Sequence, residues 1–290
     1  MTRFSVARSA GLVACLACPV LTAAAQSTTP VAVIHFDPYP LGDHLTTVHG
    51  SIRGHAGTFL FDTGEGVTLI STKLAQAIGC TPWGQVTAIR MRGDRIDAPH
   101  CDHIPFDIDG QHFSAPSVVV FDIMKFFPPD APSLDGSIGL DLFAGRAVTF
   151  ELARNELIVE SPQSLASRVG HATPVPLRIV RDAQGLALTA DIGVDTPDGT
   201  AWMELDSGSG GIIVSKVIAP LLKLDPDSTA GQAVKFTIGD TVVVEGRARA
   251  MDRMIMDGNI GVSFLTKWNV TLDLADGRAW IAPVETSPPR

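Results

Sequence analysis

Two short carboxylate motifs hold the residues of this chain best suited to chemistry. They are Asp62-Thr63-Gly64 and Asp206-Ser207-Gly208, and each follows an apolar run. A carboxylate at the end of a buried strand lies at the edge between a hydrophobic core and a cleft. Two carboxylates in contact cannot both ionise cheaply, so they share a proton, and one acts as a base while the other acts as an acid. If the two motifs meet, they support acid–base hydrolysis.

One Asp-(Thr/Ser)-Gly triplet carries little information, because about one in five or six chains of this length contains one by chance. The ordinary structure for such a triplet is an Asx turn at the end of a strand. In a paired site, the hydroxyl after the aspartate locks the loop by hydrogen bonding. The glycine permits a positive φ and lets the backbone approach the carboxyl group closely.

A longer repeated pattern separates these triplets from chance. Asp135-Gly136-Ser137-Ile138-Gly139 follows the first triplet, and Asp257-Gly258-Asn259-Ile260-Gly261 follows the second. A hairpin pattern comes after each, with turns at 153–155 and 275–277. Two motifs in the same order, twice, predict a duplicated domain. The predicted lobes cover 30–160 and 174–284, and the polar segment 161–173 is the predicted linker.

The composition indicates many short strands. Glycine occurs 27 times and proline 20 times, hydrophobic residues make up 45% of the chain, and charged residues make up 18%. These values exclude global disorder and favour a fold with many tight turns. Short apolar or alternating segments separated by turn signals predict antiparallel β-structure, with a short helix after each triplet, at 72–78 and 216–222.

Together the motifs resemble the pepsin and retropepsin type of aspartic peptidase over nearly the whole chain after the leader. The resemblance implies an all-β fold of two similar β-barrel-like lobes, related by a pseudo-twofold axis, with a few short helices and a cleft between the lobes. It implies that Asp62 and Asp206 are the catalytic pair and that Thr63 and Ser207 brace the two loops. The other supporting residues lie in the loops or pack beneath them: Gly64, Gly208, Ser209, Ile138, Gly139, Ile260 and Gly261.

The mechanism implied by the resemblance needs neither a metal nor an organic cofactor. The ionised aspartate takes a proton from a bound water, the water attacks the peptide carbonyl, and the protonated aspartate polarises the carbonyl oxygen. The expected partner is a peptide or protein substrate. Because both half-sites lie in one chain, we expect a monomer.

Glu65 departs from the family pattern, in which a small residue usually follows the triplet. Ser209 meets that pattern in the second copy. A glutamate here either points to solvent or lies near Asp62. In the second case its charge raises the pKa of Asp62, and Asp62 is then the protonated partner. Glu65 is therefore predicted to modulate the pKa of Asp62.

The hairpin that covers the cleft is a second departure. The pepsin type carries a tyrosine on this hairpin, whereas the single tyrosine of this chain, Tyr39, precedes Asp62. A hairpin with its turn near Gly93 is a candidate flap, and an ordinary surface hairpin is the alternative. The sequence is therefore closer to bacterial retropepsin-like proteins than to pepsin.

Two other functions stay open. One is a catalytically impaired protein of this fold that binds peptides in the periplasm, which Glu65 and the missing flap tyrosine favour. The other is a hydrolase of non-peptide amides or esters. Nucleic acid is not an expected partner, because the formal net charge is −9 and the sequence has no basic patch with interleaved aromatics.

The first 25 residues have the pattern of a bacterial secretion signal. Arg3 and Arg8 precede an apolar stretch, and Ala23-Ala24-Ala25 offers a cleavage site. A membrane anchor and lipidation at Cys15 are the alternatives to simple cleavage. No later segment is long and apolar enough to span a bilayer. The predicted location is the periplasm or the exterior of a bacterial cell, with no stable membrane span after cleavage.

Two cysteines follow the leader, Cys80 and Cys101. An even number in an oxidising compartment favours a disulfide, which would close a loop of about 22 residues and contribute about 3 kcal/mol. The alternative is a metal site, because His100 and His103 flank Cys101, but a fourth ligand is missing. The sequence therefore predicts the disulfide and no metal.

Overall fold

The computed structural model describes residues 28–42, 44–239 and 241–285. The predicted signal peptide, residues 1–25, lies outside the described residues, and so does Cys15. The structure is mostly β, with 48% strand and 14% helix. In the described part of the chain, no helix is long and apolar enough to cross a membrane.

Short strands dominate the described residues, and the helices are few. The strands are β1 (Ala32–His35), β2 (Asp37–Pro38), β3 (Thr46–Ile52), β4 (His55–Phe61), β5 (Leu69–Ile70), β6 (Trp83–Ile89), β7 (Arg95–Ile108), β8 (Gln111–Val120), β9 (Gly136–Ile138), β10 (Ala147–Glu151), β11 (Glu156–Val159), β12 (Thr173–Val175), β13 (Leu177–Val180), β14 (Thr189–Thr196), β15 (Gly199–Leu205), β16 (Ile212–Ser215), β17 (Gln232–Ile238), β18 (Val242–Met251), β19 (Gly258–Ile260), β20 (Trp268–Asp273) and β21 (Arg278–Pro283). The α-helices are α1 (Thr72–Ala77), α2 (Pro162–Val169) and α3 (Val262–Leu265). Short 3-10 helices lie at Ile123–Phe126, Leu140–Phe143, Leu152–Arg154, Ala183–Gly185 and Ala219–Leu222.

The first lobe is a closed barrel of six strands in the order β3-β4-β9-β5-β8-β7, and pairing of β3 with β7 closes it. β2 pairs with β3, and β6 pairs with β7, so both extend the sheet beyond the barrel. On β4, Phe59 and Phe61 pack in the main core, whereas Leu60 belongs to a separate apolar cluster on the opposite face.

The second lobe repeats this plan with the order β14-β15-β19-β16-β18-β17, closed by pairing of β14 with β17. β13 pairs with β14 at the margin. In each barrel, the strand that leads into the aspartate triplet runs parallel to the short strand of the downstream motif. These pairs are β4 with β9 and β15 with β19. The repeated sequence motifs therefore become neighbours in each lobe.

Both halves contribute strands to a third sheet, in the order β1-β11-β10-β20-β21-β12. Its central pair is β10 with β20, where Thr149 lies opposite Thr271 and their hydroxyl oxygens are 2.9 Å apart. Equivalent residues of the two repeats thus pair with each other, as expected at a pseudo-twofold axis. The predicted hairpins are β10 with β11 and β20 with β21.

The segment predicted as a linker contains a capped helix. The Ser161 hydroxyl accepts the Ser164 N–H at 3.0 Å, and Ser164 Oγ accepts the Ser161 N–H at 2.9 Å, which forms a capping box for α2. Arg168 on this helix binds Glu151 at 2.6 Å and Glu160 at 2.5 Å, and both glutamates are buried. These ion pairs fix α2 to the shared sheet.

The predicted fold class, all-β with two similar barrel-like lobes and a few short helices, is confirmed. The sharing of one sheet by the two halves was not predicted. The lobe boundaries at 160 and 174 stay predictions.

Candidate active site

Both triplets lie where a strand of each barrel ends. Asp62 follows β4, and its backbone N–H donates to Ile138 O at 3.0 Å. Asp206 follows β15, and its N–H donates to Ile260 O at 3.1 Å. The downstream strand therefore fixes each aspartate at the same place in its lobe. These two strand ends face each other where the lobes meet, so the two carboxyl groups lie in contact.

The carboxyl groups of Asp62 and Asp206, called the dyad below, are hydrogen-bonded to each other. Gly64 N–H donates to Asp62 Oδ1 at 3.0 Å, and Gly208 N–H donates to Asp206 Oδ1 at 2.8 Å. A Cβ on Gly64 would lie 2.7 Å from Asp206 Cγ, and one on Gly208 would overlap the Asp62 carboxyl group. Each glycine therefore supports its own aspartate and leaves room for the other.

Thr63 and Ser207 form a buried, reciprocal network between the lobes. Thr63 Oγ1 donates to Leu205 O at 2.7 Å, and Ser207 Oγ donates to Phe61 O at 3.1 Å. Each hydroxyl also accepts the backbone N–H of the other residue, at 3.0 Å from Ser207 N and 3.1 Å from Thr63 N. These four hydrogen bonds hold the two triplets at a fixed separation.

The downstream apolar-glycine pairs lie beneath the loops. Ile138 and Ile260 are fully buried. Gly139 N–H donates to a threonine hydroxyl at 3.3 Å. A side chain on Gly261 would overlap the carbonyl oxygen of Ser209, so the second loop rests directly on this glycine. The structure thus brings together all the residues predicted around the dyad.

The two carboxyl groups of the dyad are coupled, so they titrate as a pair. Burial raises the pKa of Asp62, and the N–H groups of Gly64 and Gly208 oppose that rise. Burial and the negative charge of Asp62 raise the pKa of Asp206 well above its usual range. The rise is larger for Asp206, which favours Asp206 as the holder of the shared proton and Asp62 as the carboxylate. The hypothesis from the sequence, that Asp62 holds the proton, stays a prediction.

Glu65 lies near the dyad rather than in solvent. The Ser137 hydroxyl donates to Glu65 Oε2. Burial, and then the negative charges of Asp62 and Asp141, raise the pKa of Glu65 well above its usual range. This coupling is reciprocal, so an ionised Glu65 would also raise the pKa values of the dyad. The prediction that Glu65 modulates the pKa of Asp62 stays a prediction.

Three polar residues near the dyad were not predicted from the sequence. Asn259 Nδ2 donates to Oδ2 of the second aspartate, and Glu204 lies two residues before that aspartate on the same strand. The buried carboxylate of Asp141 accepts the N–H of Thr68 at 2.9 Å and its hydroxyl at 2.7 Å. Asn259 occupies the position of Ser137 in the repeat, and that alignment was the signal available for it.

The candidate flap is the hairpin of β6 and β7, and its tip reaches the second lobe. Gly93 in the turn has φ of 83°. Ile255 N–H donates to Met91 O at 3.0 Å, so the hairpin joins the two lobes. A cavity of about 280 Å³ lies at the tip, and charged residues line it: Arg92, Asp94, Asp252 and Arg253.

In each lobe, a loop near the start of the lobe contacts the loop that follows the aspartate triplet of the other lobe. Leu188 N–H donates to Gly66 O at 2.8 Å. The His44 ring lies close against Gly210 on the opposite side. Residues of 183–188 also pack in one apolar cluster with residues of the candidate flap. Each triplet loop is therefore in contact with a segment of the opposite lobe.

Cys80 and Cys101 form the predicted disulfide, with Cα atoms 6.3 Å apart. It joins the chain after α1 to β7 of the candidate flap. His100 Nδ1 lies 3.0 Å from Asp102 Oδ1 and 2.9 Å from Ser117 Oγ. The alternative of a metal site at Cys101 is excluded, because its sulfur is bonded to the other cysteine.

Comparison with known protein families gives a match to part of the chain. A family model described as aspartyl protease matches residues 48–142, a stretch that contains Asp62, the candidate flap and the pair Ile138-Gly139. This stretch is therefore similar to the aspartyl protease family. No curated protein sequence matches it.

Solved structures extend the similarity beyond this stretch. Basic 7S globulin from soybean aligns with a TM-score of 0.58 at 10% identity, over 86% of this chain and 94% of that chain. Conglutin gamma, a basic 7S globulin from lupine seeds, aligns with a TM-score of 0.55 at 8% identity, over 88% of this chain and 95% of that chain. These similarities show that this chain shares their fold, and they carry no statement about activity.

Proposed function

We propose that the protein is an aspartic-type endopeptidase that hydrolyses peptide bonds with a water activated between Asp62 and Asp206. The observation that carries this proposal is the hydrogen-bonded contact between the two carboxyl groups where the lobes meet. A buried pair that shares one proton supplies a base and an acid at the same time. The match to an aspartyl protease model supports the same reaction class.

In the proposed reaction, Asp62 is the base and Asp206 is the acid. Asp62 takes a proton from the water while the water oxygen bonds to the carbonyl carbon, and Asp206 gives its proton to the carbonyl oxygen. The tetrahedral diol then collapses. Asp62 returns its proton to the nitrogen, Asp206 recovers a proton from a hydroxyl, and the C–N bond breaks. The products are a free carboxyl group and a free amine, with no covalent intermediate.

Substrate entry requires the candidate flap to separate from the second lobe. The contact to be released is the hydrogen bond from Ile255 N–H to Met91 O. Segment 183–188 must also part from the inner face of the hairpin. An extended peptide then lies across both lobes, with its scissile bond over the dyad.

We also propose that the protein acts as a monomer outside the cytoplasm, in the periplasm or as a secreted protein. The disulfide between Cys80 and Cys101 supports this location, because disulfides persist in oxidising compartments. The pattern of residues 1–25 supports export.

A protein that binds peptides without cleaving them is the second candidate. The observation that favours it is the buried Glu65, whose carboxyl group lies close enough to interact with both dyad aspartates. A third proton-binding group at this position competes for the shared proton that hydrolysis requires.

The test is cleavage of a diverse peptide pool at pH values from about 3 to 7, the range in which carboxylate pairs titrate. Products are identified by mass spectrometry for the parent protein, Asp62→Asn and Asp206→Asn. We expect internal cleavage by the parent alone. Cleavage that persists in either variant would remove the dyad assignment, and peptide binding without cleavage by the parent would establish the second candidate.

A further inference from the structure

The face of β15 that leads to the dyad carries a buried carboxyl group. Met203 and Leu205 of this strand are buried in the main core, at 0% and 1% exposure. Because side chains alternate along a strand, Glu204 and Asp206 lie on the opposite face, toward the other lobe. Glu204 is 7% exposed. This side chain therefore lies beside the dyad and outside the barrel core.

The equivalent face of the first lobe is apolar. Leu60 lies two residues before Asp62, as Glu204 lies two residues before Asp206. Leu60 packs in a cluster with Tyr39 and Ile123. The two sides of the dyad therefore differ in chemistry, although the lobes share one plan.

The neighbouring strand strengthens this difference. Thr47 lies opposite Leu60 in the first lobe, whereas Asp191 lies opposite Glu204 in the second. Burial raises the pKa of Asp191 to about 6. The second lobe thus has two carboxyl groups, Glu204 and Asp191, at the positions where the first lobe has Leu60 and Thr47.

The cation near this acidic group, Arg178, lies opposite Asp191 on the next strand and lowers the pKa of Asp191. Burial, and then the negative charges of Asp206, Asp191 and Asp62, raise the pKa of Glu204 well above its usual range. Its hydrogen-bond partner is the hydroxyl of Thr189. Among the described residues, no basic side chain forms an ion pair with Glu204. A cation brought by a ligand would therefore meet an unpaired acid in a site of low dielectric.

We propose that Glu204 selects substrates with lysine or arginine at the position held by the second lobe, next to an apolar residue held by the first. This inference rests on the proposed function, because it names the substrate class of the same cleft. The positive charge of the substrate ammonium or guanidinium group would favour the ionised form of Glu204 and pair with it. Leu60 and its apolar cluster would contact the apolar side chain on the other side of the scissile bond.

The test compares matched peptides in which one residue beside the scissile bond is lysine or its neutral, equally long analogue norleucine. Each flanking position is varied in turn, at a single pH near 5. The proteins are the parent, Glu204→Gln and, as a control, Glu245→Gln, which removes an exposed carboxylate of the same lobe. The readout is the ratio of kcat/KM for lysine to that for norleucine within each protein, so a general loss of activity cancels.

We expect the parent and Glu245→Gln to favour lysine at one position by at least about tenfold, and Glu204→Gln to reduce the ratio to near one. Cleavage with no preference for lysine, or a preference that survives Glu204→Gln, would overturn the inference and leave the proposed function intact. A pH profile that shifts in Glu204→Gln without a change in the ratio would also overturn it, since Glu204 would then act on the dyad alone.

If no peptide is cleaved, the proposed function fails, and binding decides the inference. The dissociation constants of labelled lysine and norleucine peptides are then measured by fluorescence polarisation with the same three proteins. Tighter binding of the lysine peptide that is lost only in Glu204→Gln supports the selection. Equal binding of both peptides by the parent overturns it.

Discussion

The two dyad aspartates have different neighbours although their triplets are alike. The carboxyl group of Asp206 accepts a hydrogen bond from the side-chain amide of Asn259. At the equivalent position of the first lobe, Ser137 donates to Glu65 instead of Asp62. The site therefore contains a third carboxyl group, whose pKa is raised by burial and by the negative charge of the dyad. We expect Glu65 to lose its proton after the dyad has lost its first, so that its effect belongs to the upper part of the pH range.

Glu65→Gln tests this order of titration. Ionised Glu65 makes loss of the last dyad proton harder, so the amide moves the basic limb of the pH–kcat/KM profile down by about one pH unit. The acid limb stays in place, because Glu65 is already neutral there. Profiles are measured beside Glu245→Gln as a surface control. A shift of the acid limb would mean that Glu65 is charged at low pH, as the sequence first suggested.

Asp141→Asn tests the cost of a buried carboxyl group beneath the first loop. Burial raises the pKa of Asp141 from 3.8 to about 6. The folded protein therefore holds this proton more tightly than the unfolded chain, and the stability it contributes is lost as pH rises from about 4 through 6. The total is about 3 kcal/mol. In denaturant titrations at pH 4 and pH 7, the asparagine variant gains most of that amount relative to the parent, about 2.4 kcal/mol. Equal pH slopes for the two proteins would contradict the raised pKa.

The dyad and its bracing hydroxyls were predictable because each triplet is contiguous in the sequence. The surroundings of the Glu65 carboxyl group were not predictable, because its hydrogen-bond partner, Ser137, lies 72 residues away in the sequence. Glu204 was also missed. A glutamate on an apolar strand gives no signal until the position of its strand beside the other lobe is known.

At the scale of elements, the hairpin of β6 and β7 is one of the parts of the first lobe that contact the second lobe. The contact is made by backbone atoms, from Ile255 N–H to Met91 O. The disulfide from Cys80 to Cys101 holds one of its strands near the base. The hairpin is thus anchored at one end and joined to the other lobe by a releasable hydrogen bond at its tip.

Ile255→Pro tests this contact, with Ile255→Ala as its matched control. Proline removes the N–H that binds Met91 O, while alanine keeps it and shortens the side chain. We expect faster hydrogen exchange at the tip, including the Gly93 N–H that donates to Arg90 O, in the proline variant only. Equal exchange in both variants would show that the backbone bond does not hold the hairpin closed.

The existence of this hairpin was predictable from its turn at Gly93, but its contact with the second lobe was not. Its partner, Ile255, lies in the other repeat, and no local pattern links the two segments. The covering loop 183–188 was missed for the same reason, because its contacts are with β6 of the first lobe and Gly66.

The whole molecule is two barrels joined by a sheet that both halves share. The duplication was predictable because matched motifs recur in the same order. The shared sheet was not, since hairpin patterns do not specify which hairpins pair. The linker helix α2 was also missed, because its short sequence lacks a clear period and depends on Arg168 binding Glu151 and Glu160.

Arg168→Met tests how strongly this helix is fixed to the shared sheet. Loss of the guanidinium group leaves two buried carboxylates without their main cation, and we expect a loss of about 3–5 kcal/mol in the free energy of unfolding. Arg154→Met is the matched control, because Arg154 also contacts Glu151, at 3.3 Å, but from an exposed position. Its loss should be at most about 1 kcal/mol. Similar losses in both variants would contradict a special role for Arg168.

The central claim is that one carboxyl group from each lobe completes a single catalytic unit. The most direct test is kcat/KM on one cleaved peptide for the parent, Asp62→Asn, Asp206→Asn and the double variant. Residues that act as a unit are not additive, so each single variant should lose at least about a thousandfold and the double variant no more than the worse single one. Activity retained in either single variant, or losses that multiply in the double variant, would contradict the claim.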